Sequence, residues 1–502
     1  VPPADDHTPE VPEISSFQGV SATSLNGNAP QSQVPDAGAP EAADIFLAGS
    51  EPAEEARKID LETPAARQPA PAAFEERISA IDTLRGFALL GILLMNILAF
   101  AMPFQATANP TVMGGDTGWN LVTWFAGYVL WDGKMRAIFS MMFGASVYLL
   151  VDRLTRRGCA TDAADIHYRR MLWMLLFGMI HGYLIWFGDI LFAYAMLGLI
   201  LFPLRKLSPK ALVAAAGVMI LLLSLAGVGN GFRFRTLKAD YDKAMADEKA
   251  GKKLTDKQQE TVKAWKEALK EVAPPPEEIQ KEVDGYRGNY LENMAVRARW
   301  TWQMHSFPLY FPFLWDMLSM MLIGIALMKW NVLTAERSSQ FYGWMAVIGF
   351  GVGLPAHAFS AWFVMHNQFS PEALGFQLAF YEVGRFTALG YCAVLLLMVK
   401  HGVMRGVMRL LARVGQMAFS NYILTSLICT TIFYGFGYGL FGKLQRWQLY
   451  PIVLAVWLEL MLFSHLWLKY YRFGPLEWIW RSLTYWKKQP MRLPIGAPVA
   501  EG

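Results

Sequence analysis

RISAIDTLRGFALLGILLMNILAFAMPF, residues 77–104, is long enough to span a bilayer, yet it carries three polar residues in a pattern. A spanning helix needs about 20 predominantly apolar residues. Asp82 and Arg85 are three apart and share a helix face near the entry of the span. Asn96 follows Arg85 by eleven positions, and eleven steps return to nearly the same azimuth, roughly 16 Å further along the axis. Ionisable and amide groups inside a span are costly and turn towards a bundle interior or a wet cavity. Arg85 and Asn96 are therefore expected on one cavity. Gly86 and Gly91 are places where another helix can approach closely. The plainer reading is an interfacial Asp–Arg anchor with one helix-bridging Asn.

The rest of the chain extends this apolar character. Of its 502 residues 54% are hydrophobic and only 17% charged, where a soluble protein carries about 25% charged residues. The mean hydropathy of +0.26 points the same way. The fold class expected is an all-α polytopic membrane protein whose partner is the lipid bilayer. The net charge of +4 is small and gives no sign of nucleic-acid binding. Cys159, Cys392 and Cys429 are widely spaced, so neither a disulfide framework nor a zinc pattern is expected. The histidines form no metal-ligand spacing, and no Gly-rich loop follows a strand-like segment, so neither a metal nor a dinucleotide site is expected.

Residues 1–74, rich in Pro, Ala, Glu, Ser and Gln, are expected to be disordered, because they hold too few large apolar side chains to offset the entropy of ordering. The chain opens at Val1, which is compatible with processing or trimming, and no signal-peptide pattern is visible. Ten apolar spans follow, at 84–104, 135–152, 171–187, 190–204, 210–229, 307–328, 341–364, 376–399, 417–440 and 449–468. An aromatic segment, Trp119–Trp131, either lies in the interface or lengthens the second span. The spans divide into a membrane half at 75–229, a soluble helical insertion at 230–306, a second membrane half at 307–487 and a tail at 488–502. Basic residues crowd alternate connections, as in RLTRRG (153–158) and KHGVMRGVMRLLAR (400–413), whereas loops 105–118 and 365–375 have no Lys or Arg. By the positive-inside rule both termini are cytoplasmic and the insertion is on the outer face. Within the insertion, Thr255 and Gln258 form a capping-box pattern. Val262, Trp265, Leu269 and Val272 recur at helical spacing. A solvated helical hairpin without chemistry is the plain expectation for it.

The second polar constellation is RRMLWMLLFGMIHGYLIWFGDILFAYAMLG, residues 169–198. Arg169 and Arg170 sit at the inner end, and His181 is placed near mid-membrane beside a Gly178/Gly182 GxxxG face. A buried neutral imidazole can serve as a general base; the plain reading is a helix-bridging hydrogen bond. Asp189 is either part of the site or an N-cap of the fourth span. Asp132 and Arg136 are spaced i, i+4 and compatible with a pair. Asp316, the i, i+3 pair Glu382 and Arg385, Glu459 and His465 add further polar groups to apolar runs, and such groups usually mark a polar cavity.

IDTLRGFALLGILLMNI, WDGKMRAIFSMMFGAS, the 169–198 stretch, VGQMAFSNYILTS and RFGPLEWIWRSLTY together resemble the YeiB family of bacterial inner-membrane proteins, whose C-terminal half is known as domain of unknown function 418. The resemblance covers roughly residues 77–487 in order. That family is similar, more distantly, to transmembrane acyltransferases, which take an acyl group from cytoplasmic acyl-CoA to an acceptor at the far face. Many of these have an Arg followed eleven residues later by His in the first span; Asn96 stands in that place here. The resemblance implies an inner-membrane enzyme using acyl-CoA as co-substrate and a glycan, lipid or small metabolite as acceptor, with a homo-oligomer compatible with it. In that reading Arg85, Arg169 and Arg170 hold the nucleotide phosphates and His181 deprotonates the acceptor. Asn96 orients the imidazole or donates to an oxyanion. Asp189, Glu382 and Arg385 line the acceptor vestibule, and Arg136 and Asp316 are further substrate-binding residues. A transporter of a small polar solute, using the same carboxylates as relays, is the alternative.

Overall fold

The quoted span forms helix α1, Ser79–Ala101, and the fold is built outward from it. The structure, a computed structural model, describes residues 78–493, with only the backbone course for 307–311. The expected disordered segment 1–74 and residues 494–502 of the expected tail lie outside the described residues. After α1 come a short α2 (Gln105–Ala108), α3 (Gly118–Leu130), α4 (Lys134–Arg156), α5 (Ala163–Ile180), α6 (Leu191–Leu204) and α7 (Pro209–Lys249). The insertion contributes α8 (Asp256–Val272), α9 (Pro276–Arg287) and α10 (Tyr290–Met304). The second half holds α11 (Phe307–Lys329), α12 (Ser339–His366), α13 (Pro371–Gly384) and α14 (Thr387–His401). It ends with α15 (Arg405–Gln416), α16 (Ala418–Phe433), α17 (Leu449–Trp467) and α18 (Pro475–Tyr485).

This is an all-α polytopic membrane protein. Among the described residues seven helical runs are long and apolar enough to cross a bilayer: Ser79–Ala101, Gly118–Arg156, Pro209–Lys249, Pro312–Lys329, Ser339–His366, Pro371–His401 and Arg446–Trp467. The other three expected spans fall on shorter or more polar helices. The 171–187 span falls on α5, which ends at Ile180. The 190–204 span is the 14-residue α6. The 417–440 span is the 16-residue α16, after which the chain turns back. Glycines at 435, 437, 439 and 442 follow α16, and Gly439 and Gly442 have φ of 62° and 65°. The stretch is apolar but its backbone is that of a turn.

Small residues set the closest helix contacts. A Cβ on Gly86 would lie 1.9 Å from the carbonyl oxygen of Leu411, and one on Gly415 would lie 1.9 Å from that of Asp82. Helices α1 and α15 therefore touch backbone to backbone, as expected at Gly86; Gly91 faces the Met135 side chain instead. Gly144 and Gly324 make the same reciprocal contact between α4 and α11.

Helix α7 runs unbroken for 41 residues, about 60 Å, twice the thickness of a hydrocarbon core of roughly 30 Å. It carries the chain past the expected limit at 229 into the insertion. The Thr255–Gln258 capping box forms as expected, but Leu269 is turned outward and Ala268 with Trp265 makes the buried face. The expected solvated hairpin is corrected: the insertion has three helices and docks on the bundle. Tyr286 stacks on Phe441 at 4.4 Å, its carbonyl accepts from Gly435 N at 2.9 Å, and Arg287 Nε donates to the Phe441 carbonyl at 2.8 Å. The docking buries aromatic side chains of α9 and of the turn after α16, whose pairing no spacing within the insertion displays.

Glu282 on α9 accepts from Phe104 N at 3.3 Å, and burial pushes its carboxyl up to about 7. A carboxyl raised in the docked state binds more protons there than in a free chain, whose value is near 4.3. Docking is therefore favoured fully below that lower value and weakened as the pH rises through about 7. Hydrogen exchange of α9 is expected to speed up, relative to its intrinsic rate, between about pH 5 and 8, and Glu282→Gln is expected to flatten the dependence. An unchanged profile in that variant would remove Glu282 as the cause.

Candidate functional site

The expected third span is interrupted where its histidine lies. At His181–Ile185 the helix widens into a single π turn, and Trp186 is extended at φ −155° and ψ 129°. A wide turn leaves carbonyls without intrahelical partners, and α10 supplies them. Thr301 Oγ1 donates to the Gly182 carbonyl at 2.9 Å. Tyr290 Oη and Arg297 Nη2 donate to the Leu184 carbonyl at 2.8 Å and 3.1 Å. Trp186 is buried and stacks on Phe100 at 4.0 Å.

This turn presents His181 to two partners. Its Nδ1 is 2.8 Å from Asp189 Oδ1, and its Nε2 is 2.9 Å from Ser426 Oγ on α16. A carboxylate only accepts, so Nδ1 donates to it and Nε2 is left to accept the serine hydroxyl. The Tyr422 carbonyl, at the longer distance of 3.3 Å, is the alternative acceptor for the hydroxyl's single proton. Asp189 Oδ2 accepts from Phe192 N at 2.7 Å, so the same carboxylate caps α6 and orients the imidazole, uniting the two readings of Asp189. Gly178 makes room, since a Cβ there would lie 2.3 Å from Phe192 N. His181 and Ser426 are each 1% exposed.

A cavity of about 230 Å³ lies among α1, α4, α5, α6, α16 and α18. Arg85, Arg153, Arg157, Arg170 and Arg481 line it, together with the carboxylates of Asp82 and Glu477. Apolar and aromatic side chains complete the lining, among them Phe139, Phe143, Met174, Tyr194 and Tyr422. Arg85 donates to Asp82 at 2.7 Å and to Ser146 at 2.8 Å. Arg170 lies 4.2 Å over the Trp480 ring, whose Nε1 donates to the Arg170 carbonyl at 3.0 Å. Glu477 accepts from Phe419 N at 2.7 Å and from Ser420 N at 3.1 Å. It thereby caps α16 from α18, where negative charge meets the helix dipole favourably. Arg169 is turned to Asp165 at 2.6 Å and does not line the cavity.

Asn96 lines a separate crevice of about 10 Å³ with Phe100, Trp186 and Ser426. Tyr422 lines both spaces, and its ring is 5.0 Å from that of His181. The expectation that Arg85, Asn96 and His181 share one cavity is therefore corrected. Arg85 and Asn96 do lie on one stripe of α1, but Leu89, Ile92 and Leu93 are buried between them and close the space.

The remaining polar residues form a second cluster. Arg136 is 2.7 Å from Asp316 and 3.0 Å from Tyr381 Oη, and Arg385 pairs with both Asp316 and Glu382. Four of the expected substrate-binding residues thus come together, while Asp189 stays with His181. Arg136 does not pair with Asp132 because Gly133, at φ 74°, separates α3 from α4, so the i, i+4 relation does not exist. Glu459 is exposed on α17, and His465 meets Arg413 at 2.5 Å; neither lines the cavity. Among the described residues no group of three or more His, Cys, Asp or Glu comes together to hold a metal.

Ser426, Tyr422 and Glu477 were given no role by sequence reasoning. They lie inside VGQMAFSNYILTS and RFGPLEWIWRSLTY, the two stretches that carry the family resemblance most specifically.

A family model described as "Protein of unknown function (DUF418)" matches residues 327–487, which include all three. YeiB of Escherichia coli (strain K12) is 33% identical over 425 residues, covering 82% of this chain and 96% of that protein. The chain belongs to the YeiB family. A second relative, YxaH of Bacillus subtilis (strain 168), is 30% identical over 440 residues, covering 84% of this chain and 97% of its own. A 39.9 kDa protein encoded in an amylase 3′ region of Bacillus acidopullulyticus is 26% identical over 429 residues. All three are described as uncharacterized proteins. No solved structure matches. With 82–84% of the chain covered, the His181 turn, far from both ends, lies within the length shared with YeiB and YxaH.

Proposed function

We propose that this YeiB-family protein is an inner-membrane acyltransferase that moves an acyl group from cytoplasmic acyl-CoA to a hydroxyl or amine of an exported or periplasmic acceptor. The observation that carries this reading is the cavity of about 230 Å³ lined by five arginines together with aromatic and apolar side chains. Arginine suits the phosphates and pyrophosphate of a nucleotide, and the apolar wall suits a pantetheine arm and its acyl group. A complete ligand pocket measures about 300–1,000 Å³, so this one takes the arm and leaves the nucleotide at the rim. His181, oriented by Asp189, is the general base. Arg136, Asp316, Glu382 and Arg385 form the acceptor-side polar cluster.

The orientation that goes with this reading puts both termini in the cytoplasm and α8–α10 outside. Single cysteines introduced at exposed positions of α8 are expected to label with an impermeant thiol reagent in intact spheroplasts. Labelling only after lysis would invert the donor and acceptor sides.

The direct test of function is binding. Acyl-CoA, added to purified protein in detergent, is expected to raise the melting temperature and to be weakened as a ligand by Arg170→Ala. Sustained release of free CoA, over many turnovers, is then expected only when membranes supply an acceptor. A parent protein that neither binds nor turns over acyl-CoA would overturn the reading and favour transport of a small polar solute.

A further inference from the structure

We propose that Ser426 is a nucleophile that carries the acyl group covalently between donor and acceptor, with His181 as its base and Asp189 as the orienting carboxylate. This rests on the acyltransferase reading for the identity of the donor. Three observations support it. First, the Nε2 of His181 is already engaged by Ser426 Oγ at 2.9 Å. A base acting directly on an external acceptor would have to lose that contact first. Second, Asp189 holds Nδ1 at 2.8 Å, which completes the nucleophile–base–orienter chain that activates serine on unrelated folds. The three groups come from the π turn, the start of α6 and α16, so no single helix forces them together. Third, His181 lines neither cavity, whereas Ser426 lines the crevice that also holds Asn96. An amide beside the reacting carbon can donate to the oxygen on which negative charge develops.

The step balances without any further reagent. Ser426 Oγ bonds to the thioester carbonyl carbon as its proton passes to His181 Nε2. The C–S bond then breaks, its electron pair stays on sulphur, and His181 returns the proton to give the CoA thiol and a serine ester. In the second half, the acceptor hydroxyl loses its proton to His181 and bonds to the ester carbon. The Oγ–C bond breaks and the proton returns to Oγ. The acyl group passes Tyr422, the residue that lines both spaces, on its way in.

The test uses the full chain purified in detergent with acetyl-CoA and no acceptor. The expected result is a burst of one CoA released per chain and an acetyl ester on Ser426, located by peptide mass spectrometry. Ser426→Ala and His181→Ala are each expected to lose burst and adduct. Ser426→Cys is expected to form a thioester at the same position, which keeps the result interpretable if Ser426→Ala fails to fold. A fluorophosphonate probe, which needs no donor, is expected to label Ser426 in the parent and not in His181→Ala.

If the parent releases CoA with acceptor but shows no burst and no adduct, and Ser426→Ala keeps its turnover, the covalent route is wrong and direct transfer by His181 stands. If acetyl-CoA is neither bound nor consumed, the acyl-CoA reading fails by itself. The probe then decides: His181-dependent labelling upholds the Ser426 nucleophile and its absence overturns it.

Discussion

His181→Ala is expected to lower acyl transfer by about 10²–10⁴-fold, the usual cost of losing a general base, with acyl-CoA affinity close to that of the parent. The separation follows from the geometry, because His181 lies behind Tyr422 and outside the arginine-lined cavity. Arg85→Ala is expected to do the reverse and raise KM for the donor before it lowers kcat. Its guanidinium lines the cavity, and removing a phosphate contact acts before any proton moves. Asp189→Asn separates chemistry from packing: it keeps the shape but no longer fixes the imidazole with a charge. A melting temperature near that of the parent with a large loss of rate would mark Asp189 as a positioning residue. Full activity in His181→Ala would leave the imidazole as a bridge between helices.

The second large effect concerns stability. Arg385 is 2% exposed and faces both Asp316 and Glu382. Arg385→Ala leaves Glu382 without its cation and Asp316 with Arg136 alone, and breaking a buried pair in this way typically costs about 3–5 kcal/mol. Neutralising the stranded acid, as in Arg385→Ala with Glu382→Gln, is expected to restore much of the loss, because Asp316 keeps Arg136. Glu459→Gln, on an exposed face of α17, is the control and is expected to fall within about 0.5 kcal/mol of the parent. Unfolding in detergent by urea or heat reads all three. Parent-like stability in Arg385→Ala would mean that the cluster is not held by its charges, and would favour a role in taking up substrate or ions.

Long apolar periodicity was readable from the chain almost to the residue. The span expected at 341–364 is α12, Ser339–His366, and that at 449–468 is α17, Leu449–Trp467. Composition carries such helices because burial in lipid demands an uninterrupted apolar run. What the chain concealed were changes of backbone inside apolar sequence. The π turn at His181 slips a hydrogen bond by one residue without any change in residue type, and its stabilising donors lie on α10. The break between α13 and α14 comes at Arg385, within one apolar run. The site was half legible for a related reason. His181, Asp189 and Arg85 stood out as polar groups in apolar surroundings. Ser426 did not, since a lone serine in a span is unremarkable until its partner, 245 residues earlier, is brought beside it. The four-residue ion cluster likewise joins Arg136 to a carboxylate 180 residues away. Nothing in local spacing announces such a pair.

The dependence of the His181 turn on α10 has a consequence for biogenesis. Thr301 donates to Gly182 across 119 residues of chain. When the first membrane half leaves the ribosome, the turn that holds the imidazole still lacks the donors for its carbonyls, and Ser426 has yet to be synthesised. The insertion must fold and return before the turn is fixed, and α16 must then insert against it. A polar cluster built from these parts is incomplete in every nascent chain that ends before Ser426. Two fragments cut within the α7–α8 turn therefore hold all the parts of the His181 cluster and of its α10 support only when both are present.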